Sequence, residues 1–372
     1  MRFITTLFLL FWLVSCVDLF DKQYTFDTNL VFVEGLLTDQ DPFFVTIVQS
    51  RSTQRTEFQV PIRRAIVELL VGDGSRITLT ESASAFGRYE APAAFRGKVG
   101  QSYRLRMRFT DSRIYESTLE RLNAPVGISK TNQTLDLKGI VEANGFVSSS
   151  SLDISVDAQD DPQAQNFYQW RTFLYESQRV CASCTNSFWD GVNKECSGGP
   201  RPSPNPPFTI DYECDKRCWQ VYLDERLNIF SDGLTNGKLI TNRLVKKVPF
   251  YRENTGALLE IQQLSITPVI YRYYDLIKQQ TETTGTLTDV PPAPPVGNIR
   301  NINKADEPVL GYFIAAGITK TRLWIDRTQY EGVKYTTMLG GRDRDVSFPN
   351  PPRAFCGSLR GQTPIAPQGW RF

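Results

Sequence analysis

Seven cysteines, no histidine and an alternating row of arginines define the chemistry open to this chain of 372 residues. Without imidazole there is no Ser-His or Cys-His nucleophile pair, no His-containing zinc site and no imidazole acid or base. Carboxylate or lysine chemistry remains, and an enzyme becomes the less favoured reading. Five cysteines crowd one stretch, as Cys181-Ala-Ser-Cys184, Cys196 and Cys214-Asp-Lys-Arg-Cys218. Two close thiol pairs suggest zinc, but the second pair is spaced CxxxC and Cys196 stands between them. Redox work by Cys181 and Cys184 would want a βαβ setting that the flanking sequence lacks. Disulfides are the favoured reading, with Cys356 as a further partner and the pairing left open. Arg104, Arg106 and Arg108 could hold an acidic partner or lipid phosphates. A solvated face paired with nearby carboxylates is the competing reading. Asp157, Asp160 and Asp161 could ligate calcium, yet their spacing matches no calcium loop, and Asp-Asp-Pro is turn sequence.

Cys16 calls for a different chemistry. Arg2 precedes an almost wholly apolar run from Phe3 to Val14, and Leu13-Val14-Ser15-Cys16 closes it with small residues before the thiol. That is the layout of a secretory leader, and its last four residues look like the acylation signal of bacterial lipoproteins. The run falls short of the ~20 residues of a membrane span. We expect cleavage after residue 15, acylation of Cys16 and a polar tether over residues 16–29. Several acyl chains, at about 0.8 kcal/mol per buried methylene, anchor a protein permanently. An ordinary cleaved leader with an incidental cysteine is the alternative. Removing Cys16 leaves an even number of cysteines in an exported chain, where disulfides persist.

The elements that would position these groups read mainly as strands. Lys plus Arg (42) nearly balance Asp plus Glu (40), so nothing in the bulk charge argues for nucleic acid. Leu30 to Thr38 and Phe43 to Gln49 flank the turn Thr38-Asp39-Gln40-Asp41-Pro42, and Gly72-Asp73-Gly74 marks a hairpin. In Ser102 to Thr110, Tyr103, Leu105, Met107 and Phe109 take one face and the arginines the other, the period of two of a half-buried strand. We therefore expect an Ig-like antiparallel β-sandwich over residues 30–125. A β-rich second domain over 126–372 follows, with one or few helices and a disulfide-stapled insertion at 180–219. Proline and glycine are too dense in that insertion for it to build its own core. Thr255 to Thr283 is the main helical window, with the helix proper near 268–281, proline in its first turn, and a strand before Pro268 as competitor. Val309 to Ala316 and Lys320 to Asp326 read as two neighbouring strands.

Val33-Glu34-Gly35-Leu36, the pattern Gly87-Arg88-Tyr89 to Gly100-Gln101-Ser102-Tyr103, and above all Gly297-Asn298-Ile299-Arg300-Asn301 followed by Leu310-Gly311-Tyr312-Phe313 carry a resemblance. With the acylation signal, they make the chain resemble domain-of-unknown-function family 4249 along nearly its whole length. The resemblance implies an outer-membrane, surface-exposed lipoprotein encoded beside SusC-type TonB-dependent transporters. It further implies a non-catalytic subunit seated on or beside a β-barrel, with further lipoproteins as partners. It supplies no catalytic residue and no cofactor. Asn298, Arg300 and Asn301 are also what a hydrogen-bonded structural turn would use.

Three functions follow as expectations. The first is a lipid-anchored accessory or capture subunit of an outer-membrane complex, in nutrient uptake or membrane assembly. The second is a stand-alone glycan- or peptide-binding module built on aromatics such as Trp189, Trp219 and Trp324, although core packing competes for them. A hydrolase using two carboxylates comes third, since it needs an acid and a base at a set separation.

Overall fold

The structure is a computed structural model. It describes residues 30–52, 57–141, 148–182, 188–190, 195–197, 216–224, 226–250, 256–282, 296–331, 343–345, 356 and 361–372. Cys16, Cys184 and Cys214 lie outside these residues, and of Cys181, Trp189 and Cys196 only the backbone is described.

The protein is mainly β. Its first strands are β1 (Val31–Thr38), β2 (Phe44–Ser52), β3 (Glu57–Pro61), β4 (Ile66–Val71), β5 (Arg76–Glu81), β6 (Arg88–Glu90), β7 (Ser102–Arg108), β8 (Ile114–Ser117) and β9 (Glu120–Arg121). Then come β10 (Ile128–Val141), β11 (Ser148–Gln159), β12 (Phe167–Ala182), β13 (Phe188–Asp190), β14 (Glu195–Ser197), β15 (Lys216–Leu223), β16 (Asn228–Ser231), β17 (Leu239–Pro249) and β18 (Ala257–Ile266). Helix α1 (Pro268–Glu282) precedes β19 (Ile299–Asn301), β20 (Val309–Ile325), a 3₁₀ turn (Arg327–Gln329), β21 (Asp343–Asp345) and β22 (Gln362–Thr363).

Two layers enclose the first core. One pairs β1 with β2 and β20; the other runs β5-β4-β7-β8-β19. Alternation along the strands supplies the core: Val31 and Val33, Val67 and Leu69, and Tyr103, Leu105 and Met107 all point inward. Ile299, Val309, Phe313 and Ala315 join the same cluster, so this core draws on residues far apart in the chain. The expectation of a wholly antiparallel sandwich needs one correction, because β1 pairs with β20 in parallel. Parallel neighbours need a crossover connection, and here it is everything between Thr38 and Val309.

A second core lies between the three-stranded sheet β10-β11-β17 and the strands β12 and β18. Leu152, Ile154 and Val156 of β11 pack on Tyr168, Trp170 and Leu174 of β12 and on Leu259 and Ile261 of β18. The other face of β18 and β20 is covered by α1, where Ile270 and Tyr271 meet Leu264, Ile266, Ile314 and Ile318. Every residue of β18 is therefore buried.

Within the window Thr255 to Thr283 the helix proper lies after Pro268, and the part before it is the competing strand, Ala257 to Ile266. A strand covered on both faces is apolar almost throughout and so satisfies helical spacing by accident. The helix starts at Pro268, where a missing N–H and a fixed φ suit the first turn. Val309 to Ile325 forms one strand of 17 residues instead of two neighbours. Its first half pairs with β1 and its second with β18, so a single strand joins the two cores. A Cβ at Gly317 would lie 2.4 Å from the Asn123 carbonyl oxygen, so glycine there admits the segment that leads from β9 to β10.

Candidate functional site

The residues singled out for chemistry fall into separate places. Arg104, Arg106 and Arg108 of β7 stand on the outward face of the layer β5-β4-β7-β8-β19, opposite Tyr103, Leu105 and Met107. Cross-strand partners share a face. Register therefore adds Arg76 (beside Leu70), Arg121 (beside Ser102) and Arg300 (beside Glu116) to the same surface. Its carboxylates are Glu116 and Glu68, the partner of Arg106. Glu116 serves two arginines, at 3.7 Å from Arg104 Nη1 and 3.3 Å from Arg106 Nε. The Nε atoms of Arg104 and Arg106 are out of solvent without a hydrogen bond. Among the described residues, Arg76, Arg108, Arg121 and Arg300 form no ion pair. A chain of net charge +2 has thus sorted a positive surplus onto one sheet face.

Trp219 is not a surface contact. It is 4 % exposed, because Trp370 of the C-terminal segment packs edge-on against it at 5.9 Å and against Trp324 at 5.1 Å. The sequence signal was Trp370 itself, an aromatic near the chain's end with Cys356 before it. A disulfide joins Cys218 to Cys356, and β22 pairs with β15 at Trp219 and Gln220, so this segment is fastened back onto the sheet.

Across β12, β18 and β20 the sheet carries a largely buried polar relay. Arg171 Nη2 donates to Gln262 Oε1 at 2.5 Å, and Gln262 Nε2 donates to Glu260 Oε1 at 2.7 Å. Glu260 Oε2 also accepts from Arg322 Nε at 2.8 Å. Burial holds the Arg171 guanidinium below its usual pKa. Phe173, on the same face of β12, lies 5.9 Å from the Arg171 guanidinium. Sequence reading missed this relay, because its members sit on three strands distant in the chain. Elsewhere a shallow cleft of about 400 Å³ is lined by Phe230, Asn242 and Arg243. Arg243 is already held there by the Asn228 side chain and the Ile229 carbonyl.

The Gly-Asn-Ile-Arg-Asn and Leu-Gly-Tyr-Phe segments meet as a backbone clasp. Asn298 Nδ2 donates to the Phe313 carbonyl at 2.8 Å, and the Phe313 N–H donates to Asn298 Oδ1 at 2.9 Å. Asn301 Nδ2 donates to Glu307 Oε2 at 2.7 Å, while Ile299 and Phe313 enter the first core. Tyr312 turns the other way and stacks on Tyr273 of α1 at 4.8 Å. Asn298 and Asn301 thus have structural partners, and only Arg300 points outward.

The aspartates act as turn and loop fasteners. Asp157 accepts from the Asn242 N–H at 2.7 Å, and Asp161 from the Gln163 N–H at 3.0 Å. Asp160 accepts from the Tyr168 hydroxyl at 2.5 Å and the Gly237 N–H at 2.7 Å. Among the described residues, no group of three acidic or sulfur side chains is placed to hold a metal. Asp232 is fully buried beside Asp160, with Oδ1 lacking a hydrogen bond. Burial first, and then the neighbouring Asp160 carboxyl, raises its pKa. Asp161 and the Tyr168 hydroxyl also face this pair. A raised folded-state pKa adds stability that is complete below the unfolded value of about 3.9 and lost as pH rises through the folded value. Asp232→Asn removes that titration and offers an amide donor to Asp160. We expect the variant to equal the parent in acid and exceed it by about 1 kcal/mol at neutral pH, measured by urea unfolding. A constant difference across pH would refute the raised Asp232 pKa as its source.

No curated protein and no solved structure matches the chain. The family model described as domain of unknown function (DUF4249) matches residues 18–322, a span that takes in the paired strands of the first core, most of the second core, α1 and the Asn298 clasp. The chain belongs to the DUF4249 family.

Proposed function

We propose that this protein is a lipid-anchored, non-catalytic capture or accessory subunit of an outer-membrane complex built on a SusC-type TonB-dependent barrel. It would serve nutrient uptake or outer-membrane assembly from the cell surface. The observation that carries the reading is Leu13-Val14-Ser15-Cys16 at the end of an apolar run, which supplies an acylatable thiol a short polar stretch before β1. The absence of histidine from the sequence adds to it by removing the commonest acid-base and nucleophile partners. An N-terminal Ig-like topology for the first core belongs to the same reading.

Tagged, lipidated protein purified from gently solubilised native membranes should bring down a barrel in stoichiometric amount. Recovery of the protein as a lone species would overturn the reading. The relay of Arg171, Gln262, Glu260 and Arg322, with Phe173 beside it, favours one alternative, a stand-alone glycan- or peptide-binding module. Retention on immobilised glycans or peptides would support it, and flat titrations across a broad panel would remove it.

A further inference from the structure

We propose that the arginine face of β5-β4-β7-β8-β19 is a membrane-contact surface, seated on the anionic phosphate headgroups of the bilayer that holds the anchor. The position of the bilayer rests on the acylated-Cys16 reading; the chemistry of the face does not. Guanidinium groups match phosphate oxygens with paired donors and are weakly hydrated, so they transfer readily to a phosphate plane. Here they stand on adjacent strands with Glu116 already shared between Arg104 and Arg106, and with the side chains of Arg108 and Arg300 exposed and unpaired among the described residues.

The face offers a protein partner no aromatic anchor. No aromatic side chain stands among the outward residues of β4, β7, β8 and β19, whereas protein interfaces centre on buried aromatic anchors. Instead its apolar members are aliphatic: Ile66, the cross-strand partner of Arg108, is 50 % exposed and Ile302, just past β19, is 43 % exposed. Such side chains suit the headgroup boundary.

Chain geometry permits the orientation. β1 begins beside Val309, and Glu307, two residues earlier, accepts from Arg113 and from the Tyr115 hydroxyl. Ile114, between those two residues, is the cross-strand partner of Arg108. The chain therefore enters the first core at the Arg108 end of the face. The residues between Cys16 and β1 extend at most about 50 Å, enough to let that face lie flat.

The test is arginine-specific chemical footprinting of the full acylated protein on protein-free vesicles. Phosphatidylcholine vesicles are compared with vesicles containing phosphatidylglycerol, and each modified arginine is identified by mass spectrometry. Arg104, Arg106, Arg108 and Arg300 should react severalfold more slowly on the anionic vesicles, with Arg88 of β6 unchanged as internal reference. Each arginine near an anionic surface contributes about fivefold in affinity, so R104Q/R106Q/R108Q should return Arg300 to its rate on neutral vesicles. High salt should do the same to the unaltered chain, which covers the case of a variant that fails to fold.

Equal rates on both vesicles would overturn the proposal, as would protection seen only in native membranes, which would assign the face to an acidic protein. Flotation separates this from the anchor. Protein that floats with neutral vesicles but shows no anionic protection refutes the face alone. Protein that does not float with neutral vesicles refutes the anchor, and slower modification of the face on anionic vesicles would then still uphold its chemistry.

Discussion

Gly311→Ala is expected to cost more than about 4 kcal/mol, in the class of exceptional single substitutions and comparable to the whole stability of a domain. Gly311 has φ +90°, and a Cβ there would stand 1.9 Å from the carbonyl oxygen of Val33 on β1. That oxygen belongs to the parallel ladder joining β1 to β20, with Val33 opposite Gly311, so relief would pull the two strands apart. Gly297 is the second half of the same approach: its Cβ would lie 1.8 Å from the Gly311 carbonyl oxygen. Asn298, next in sequence, then spans to Phe313 with its paired hydrogen bonds, which demands this short distance. Gly74 separates collision from conformation, since its φ is +89° and a methyl added there would meet nothing within 4 Å. Gly74→Ala should therefore cost only the left-handed backbone, about 1–2 kcal/mol. Urea unfolding of the two variants beside the parent measures this, and a Gly311→Ala as stable as Gly74→Ala would show the close approach to be wrong.

Arg327→Met should cost about 3–5 kcal/mol, because it strands a buried carboxylate. Arg327 and Glu176 have fully buried side chains and form a two-pronged ion pair, with Nη1 3.2 Å from Oε2 and Nη2 on Oε1. Arg327 Nε also donates to the Pro249 carbonyl at 2.9 Å, so one guanidinium fastens β12, the end of β17 and the turn after β20. Burial drives the Glu176 pKa up, and Arg327 opposes that rise. Without the arginine the carboxyl should be protonated in the folded state. Its pKa is then raised relative to the unfolded chain, so Arg327→Met should be least destabilised in acid and lose stability as pH rises through the raised value. Replacing both partners, as Glu176→Leu with Arg327→Met, should recover most of the loss, since buried pairs are often replaceable by apolar residues of similar size. A double variant no more stable than Arg327→Met would mean that the Pro249 contact, not the charge, dominates.

The sequence by itself determined the local facts. Period-two alternation placed Tyr103, Leu105 and Met107 inward and the arginines outward because a half-buried strand permits no other pattern. Pro268 marked a helix start and Gly72-Asp73-Gly74 a turn, since proline and glycine act through backbone chemistry that needs no distant neighbour. The Gly-Asn-Ile-Arg-Asn and Leu-Gly-Tyr-Phe segments stood out as residue strings. What they do was not legible, because a backbone contact between Gly297 and Gly311 exists only once two segments are brought together. Tertiary structure alone decided that β20 is one strand shared by both cores and that Cys218 takes Cys356. It decided that Trp370 buries Trp219, that Glu176 meets Arg327, and that Arg76, Arg121 and Arg300 join the β7 row. Each of these is a pairing across long sequence separation. Periodicity reports which face a residue takes, whereas strand order and register, set by how whole faces fit together, determine what lies opposite it.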